Sequence, residues 1–366
     1  GGYAWVDGIG RASLWTGTAA SWVDLNPPGS VGSQVNAIGG GYQGGSALIG
    51  GVTRAGLWSG TAASWEDLHA LLPSEYYSSF ATGISTDGVN VYVTGVGFNA
   101  DSGREEALLC TRPVPAPGAA AILCIGCVFG AHRRPRTRSA SHARLRVTRI
   151  AAAAAIGQTA LAATAASAAP IITDLGTVAG YSAISHPMVS ANGLVVAGTV
   201  ERNNLGLLER RAVRWTGGGG AVSLGLPPGE LGDSWSDARG LSADGSVIVG
   251  NVDEDQGFFW SVANGFGPVT ATEFNGVDGS GTRAVGTQRL GISFPIVRAV
   301  LTEDDGTISP LGLPSEYSVG TAVSGDGAIA VGWLTGTQPG SGTAFRSTGP
   351  GAFELLGRLP GQDYSA

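Results

Sequence analysis

The chain has 366 residues, of which 43% are hydrophobic, 13% are charged and 61 are glycine. That composition excludes a disordered chain and fits short strands joined by tight turns, an all-β protein, better than solvated amphipathic helices. Net charge is −7, and seven arginines crowd into the acid-free stretch 133–149, so the rest of the chain is more acidic still and repels nucleic acid and anionic lipid.

The first elements repeat. Trp15–Leu25 (WTGTAASWVDL) and Trp58–Leu68 (WSGTAASWEDL) differ at two of eleven positions and are offset by 43 residues. The frame returns at Glu106–Cys110, preceded by the strand-like run Ile84–Gly95 with its Asp87-Gly88 turn. Residues 1–113 therefore read as a β-repeat block of about three units.

Residues 114–138 differ in kind. They carry a Pro-rich entry at Pro115-Ala116-Pro117, an apolar stretch from Gly118 to Ala131 and then an arginine cluster. This segment is similar to the PEP-CTERM sorting signal, which implies recognition and removal by a membrane protease, with Pro-Ala-Pro standing where that family has Pro-Glu-Pro. Residues 139–169 have the three parts of a secretory signal peptide: Arg144, Arg146 and Arg149, an apolar run Ile150–Ala163, and Ala166-Ser167-Ala168. Cleavage is expected between Ala168 and Ala169, and 118–131 and 150–169 are expected to contact the membrane before processing.

A tail that precedes a signal is the order of two adjacent reading frames. A join is therefore expected, one frame ending near Arg138 and the other beginning near Val147. The rival is a hairpin anchor with its arginines on the cytoplasmic side. Its first arm, Gly118–Ala131, rises only about 21 Å as a helix against a hydrocarbon core of roughly 30 Å.

Residues 170–366 repeat a related unit at Ser190–Gly198, Ser242–Gly250, Asp278–Gly286 and Ser324–Gly332, with spacings of 52, 36 and 46. Asn192-Gly193, Asp244-Gly245 and Asp326-Gly327 suit a two-residue type I′ hairpin loop, which needs two residues that tolerate positive φ. Val247–Val249 then reads as a strand released by Gly250, followed by a second strand such as Ala212–Trp215 or Phe258–Ser261. The cluster Gly217–Gly220 turns the chain into a short strand, Val222–Leu224, ahead of the loop Leu226–Gly229. Four strands in about 45 residues are the dimensions of a propeller blade, whereas solenoid coils are usually about 20 to 30 residues. Three units and then four would close one propeller only if the middle were looped out, so two separate partial arrays are expected. Leu359–Ala366 reads as the lead-in to a further repeat, and both ends look cut.

From Ile171 to Ala366 the elements SADGSVIVG, AVRWTGGGG and LGLPPGE resemble the bacterial extracellular HAF-repeat proteins, which implies an exported propeller-like array. The Trp15 and Trp58 units resemble a sister repeat of bacterial surface proteins that end in a sorting tail.

Candidate chemistry is sparse. Cys110, Cys124 and Cys127 are too few for a disulfide framework, and Cys124-Ile125-Gly126-Cys127 lacks the partner pair a zinc site needs. Asp253 and Asp255 alternate as in a calcium loop, but Gln256 stands where the tight-turn glycine belongs. His69, His132, His142 and His186 share no metal or triad spacing, and with no lysine in the chain the Gly217–Gly220 cluster is no phosphate loop. Trp15, Trp22, Trp58, Trp65, Trp215 and Trp260 recur at one phase of the repeat, which points to packing. The Ser-x-Asp-Gly groups likewise read as turn geometry. The expected function is a non-enzymatic surface or matrix scaffold, secreted or held at the cell envelope, that binds an extracellular glycan or protein without a cofactor. The alternative is an exported propeller hydrolase or lyase acting on polysaccharide, recruiting acids such as Asp233, Asp237, Glu273 and Glu316.

Overall fold

The computed structural model describes residues 1–114, 169–176, 178–204, 207–217, 219–231, 234–253, 255–291, 296–312, 317–335 and 342–356. The expected sorting tail, the signal-like segment up to Ala168, and Cys124, Cys127, His132 and His142 lie outside the described residues.

Seven antiparallel sheets succeed one another as the blades of a β-propeller. Blade 1 holds β1 (Gly2–Val6), β2 (Ile9–Leu14) and β3 (Val23–Asp24). Blade 2 holds β4 (Ser30–Gly39), β5 (Tyr42–Ile49), β6 (Val52–Trp58) and β7 (Glu66–Asp67). Blade 3 holds β8 (Tyr76–Thr86), β9 (Asn90–Asn99), β10 (Arg104–Pro113) and β11 (Ile171–Asp174). Blade 4 holds β12 (Ala183–Val189), β13 (Val195–Asn204), β14 (Leu207–Thr216) and β15 (Gly219–Ser223). Blade 5 holds β16 (Ser236–Leu241), β17 (Val247–Val252), β18 (Gln256–Ser261) and β19 (Gly265–Phe266). Blade 6 holds β20 (Glu273–Val277), β21 (Arg283–Leu290), β22 (Ile296–Glu303) and β23 (Ile308–Pro310). Blade 7 holds β24 (Ser318–Val323), β25 (Ala330–Thr335), β26 (Gly342–Gly349) and β27 (Ala352–Leu355).

The two repeat blocks are one compact unit, Gly1–Arg112 with Pro170–Ala366, and not the two partial arrays expected. The join is a strand pairing. β10, from before the middle segment, bonds antiparallel to β11, from after it, with Leu108 opposite Asp174 and Thr111 opposite Ile171. Blade 3 is thus completed across residues 115–168, which the sequence repeats alone did not reveal.

Blades 2 to 7 each run their strands in order across the sheet, and the first strands of neighbouring blades pack on one another while the last strands do not. The first strand is therefore the inner one. Blades stack face to face, so the apolar residues collect in small clusters between neighbours. Ala12 and Leu25 of blade 1 meet Val35 and Trp58 of blade 2, and Ala197 and Ala212 of blade 4 meet Ala238, Ile248 and Phe258 of blade 5. Small residues on one sheet accept large ones from the next, which is how close-packed layers fill without voids.

Two local expectations need correction. The Asp-Gly turns are not type I′ loops, because only the glycines have positive φ: Gly245 at 74° and Gly327 at 71°, with neither aspartate in that region. The loop spans four residues, closed by Ser242, whose Oγ donates to Asp244 Oδ1 at 2.7 Å and accepts the Val247 N–H at 2.9 Å. Ser190 with Asn192 and Ser324 with Asp326 repeat it. Backbone bonds then link successive turns, Ala191 N–H to Ala243 O, Ala243 N–H to Gly279 O and Gly279 N–H to Gly325 O, at 2.7 to 2.9 Å. The motif recurs because each copy bonds the next blade.

Nor does the closing glycine release its strand. Gly250 lies within β17, where an added Cβ would stand 1.9 Å from Asp237 O. Gly45, Gly286 and Gly332 meet the inner strand's carbonyl at 1.9 to 2.0 Å in the same way. Each sits opposite an inner-strand bulge, and only a residue without Cβ lets the two backbones approach so closely.

Candidate functional site at one end of the array

The antiparallel order of blades 2 to 7 puts three features at the same end: the start of the inner strand, the hairpin between second and third strands, and the end of the fourth. In blade 1, β1 to β3 match β5 to β7 at the 43-residue offset, so the β1–β2 hairpin beside Trp5 falls at that end too. Inner-strand bulges place Asn36, Thr82, Arg239, Asn275 and Thr321 one to a blade, and in blade 4 the pair His186-Pro187. Three of these bulge residues tie one blade to the next. Asn36 Nδ2 donates to Ala81 O at 2.7 Å, Thr82 Oγ1 to Pro187 O at 2.7 Å and Asn275 Nδ2 to Gly320 O at 2.8 Å.

Blades 4 and 5 depart from this rule. There the second strand makes the tie: Thr199 Oγ1 accepts the Ala238 N–H at 3.0 Å, and Asn251 Nδ2 donates to Phe274 O at 3.0 Å. His186 and Arg239 are thereby released from the structural duty their counterparts perform. His186 is exposed and holds φ at 53° directly before a proline, a conformation L residues seldom adopt. Departures from a local rule concentrate at functional positions.

A band of charge surrounds these two residues. Asp237, only 3% exposed, receives Arg239 through Nε at 2.8 Å and Nη2 at 2.6 Å on one oxygen and the Asn251 N–H at 3.1 Å on the other. Glu201 takes Arg210 at 3.3 Å and Ser185 Oγ at 3.2 Å, and the Arg210 guanidinium lies 5.5 Å from the Trp235 ring centre. Arg289 reaches Asp255 at 3.3 Å and Glu273 at 3.7 Å. Although His186 reaches solvent, the surrounding inner strands partly desolvate its imidazole, and this, then Arg239, holds it below the usual histidine range, against the opposite pull of Asp237 and Glu201. Burial holds the Glu273 carboxyl above the carboxylate range, Asp237 and Asp255 adding to it and Arg289 and Arg239 opposing.

Of the acids proposed for catalysis, Asp237 and Glu273 come from neighbouring inner strands into one electrostatic neighbourhood, while Asp233 and Glu316 lie outside the described residues. Asp237 is spent on Arg239 and the backbone. The calcium candidates have other work: Asp253 accepts the Trp235 N–H at 3.0 Å, and Asp255 pairs with Arg289. Among the described residues no group of three His, Cys, Asp or Glu is arranged to hold a metal ion. Cys110 is buried and its thiol is pushed up to about 12, chiefly by desolvation.

Of the repeat-phased tryptophans, Trp58, Trp65, Trp215 and Trp260 pack in the apolar clusters, Trp58 and Trp215 being at most 2% exposed. Sequence reasoning passed over the other three, Trp5, Trp235 and Trp333, whose common signal is that they fall outside the repeat phase. All three lie at the inner-strand end. A cavity of about 560 Å³ between blades 6 and 7 opens at the opposite end, where Arg283 is already committed to Glu303 at 2.8 Å and Gly327 O at 3.0 Å.

No protein-family model and no curated protein sequence matches the chain. Among solved structures it is similar to TolB from Acinetobacter baumannii, at 11% identity and a TM-score of 0.44 over 86% of this chain and 63% of that one. It is also similar to the acylaminoacyl peptidase of Pyrococcus horikoshii, at 8% identity and a TM-score of 0.48 over 88% of this chain and 45% of that one. A third is the β-propeller domain of the Trilobed protease from Pyrococcus furiosus, at 10% identity and a TM-score of 0.39 over 78% and 73%.

Proposed function

We propose that the chain is a non-enzymatic binding scaffold, exported to the bacterial surface or matrix, whose ligand sits on the inner-strand end of blades 4 to 6. The observation that carries this is the release of His186 and Arg239 from the inter-blade ties made at the same position by Asn36, Thr82 and Asn275. The signal-like segment ending at Ala168 supports export. Groups fixed by ion pairs on a rigid array suit recognition, because the donors and acceptors are oriented before the ligand arrives. The purified 366-residue protein, applied to a glycan array and to pull-downs from envelope extract, is expected to retain a ligand that is lost with His186→Ala and Trp235→Ala. Retention by both variants contradicts the location.

A second reading rests on Glu273, a carboxyl whose pKa burial raises above the usual carboxylate range beside a second carboxylate, the direction a general acid requires. Release of reducing ends from polysaccharide by the parent protein, abolished in Glu273→Gln, would favour it over pure binding.

A further inference from the structure

Aromatic side chains recur at the inner-strand end of five of the seven blades. Blade 1 presents Tyr3 and Trp5, 42% and 52% exposed, with ring centres 6.3 Å apart. Blade 3 presents Tyr77, 54% exposed, 4.6 Å from Phe98. Tyr181 precedes β12 under the Arg202 guanidinium at 5.0 Å, Trp235 precedes β16 beside Arg210, and Tyr317, 41% exposed, lies 5.5 Å from Trp333 in blade 7. In blades 4 and 5 charged groups stand beside the rings, and the ring pairs of blades 1, 3 and 7 each lie within their own blade. They do not merge into the single apolar centre that a protein partner's hot spot needs. A row of separate flat faces, each beside hydrogen-bonding groups, instead suits a ligand that itself repeats: apolar on the faces of its units and hydroxylated at their edges.

We infer that the ligand of this end is a polysaccharide chain that runs across several blades, its sugar units stacking on Trp5, Tyr77, Trp235 and the Tyr317–Trp333 pair. The inference rests on the binding reading above and names its ligand class. The blade 4 to 6 band is the polar anchor, and the outlying rings are further subsites that only a long chain reaches at once. Affinity should then grow with chain length, since each added ring contact becomes intramolecular. One ring contact at about 1 kcal/mol corresponds to about fivefold in affinity.

The experiment is calorimetry of the intact chain with two oligosaccharide ladders, β-1,4-glucan and alginate, from two to eight units. In at least one ladder affinity is expected to rise by about tenfold or more from the shortest to the longest member. Trp5→Ala and Tyr77→Ala, both at exposed rings, should remove most of that rise and leave the shortest oligomer's affinity unchanged. His186→Ala should weaken all lengths alike. Binding that is flat with length, or a rise that survives Trp5→Ala and Tyr77→Ala together, overturns the multi-blade chain while leaving the binding reading intact. No binding to either ladder, with a protein retained from envelope extract and lost in His186→Ala, overturns the polysaccharide assignment. Circular dichroism of each variant confirms that the fold is kept.

Discussion

At the scale of single residues, the inner-strand end holds charge in places that cost stability. Glu273 is the clearest, since burial raises its pKa in the folded state. A folded-state pKa above the unfolded one gives stability that is fully present below the unfolded value and is lost as pH rises through the folded one. At pH 7 the ionised Glu273 is therefore a net burden, and Glu273→Gln is expected to raise the thermal midpoint there. The gain should shrink to nothing below about pH 4, where the wild-type carboxyl is itself protonated. Arg289 also pairs with Asp255 at 3.3 Å, a partner that the substitution does not remove. A lowered midpoint at pH 7 would mean that the ion pair with Arg289 outweighs desolvation. By contrast Glu106, 7% exposed, is supplied with donors from Tyr76, Asn99 and Ser102, and its pKa is lowered: a structural carboxylate, satisfied within blade 3.

At the scale of elements, the glycine that ends each repeated run, as at Gly250, Gly286 and Gly332, has a backbone cause. The inner strand bulges toward the second strand, and the glycine is where the two main chains meet. Gly250→Ala would drive Cβ to 1.9 Å from Asp237 O, and the strands must separate or the bulge must flatten. A loss of about 3 kcal/mol in denaturant titration is expected, the upper range of overpacking. Gly325→Ala, whose added Cβ meets nothing within 4 Å, should stay within about 0.5 kcal/mol of the parent. Equal effects would refute the close-approach account. The repeat, the blade dimensions and the turn positions were legible in the sequence because hydrophobic period and Asn/Asp-Gly pairs are local signals. The turn type was not, since the Ser242 hydroxyl closes a wider loop than a two-residue hairpin. The site was legible only in part. Asp237 and Glu273 were named as acids, but the neighbourhood of His186 and Arg239 depends on which strand makes the inter-blade tie, a fact of register that one sequence does not display.

At the scale of the whole molecule, seven blades form one unit because blade 3 takes its fourth strand from beyond the middle segment, 57 residues (114–170) separating Pro113 from Ile171. The repeats on either side looked like separate arrays because strand pairing across so long a connection leaves no periodic trace. The pairing of β10 with β11 is what joins the two halves of the array. The most direct test is to produce residues 1–114 and 169–366 as two separate chains in one cell, with an affinity tag on the first only. Co-purification of the two at one-to-one stoichiometry, with a single unfolding transition near that of the intact chain, is the expected result. Two chains that purify apart, each folded and each unfolding at its own midpoint, would contradict the pairing and restore two independent arrays.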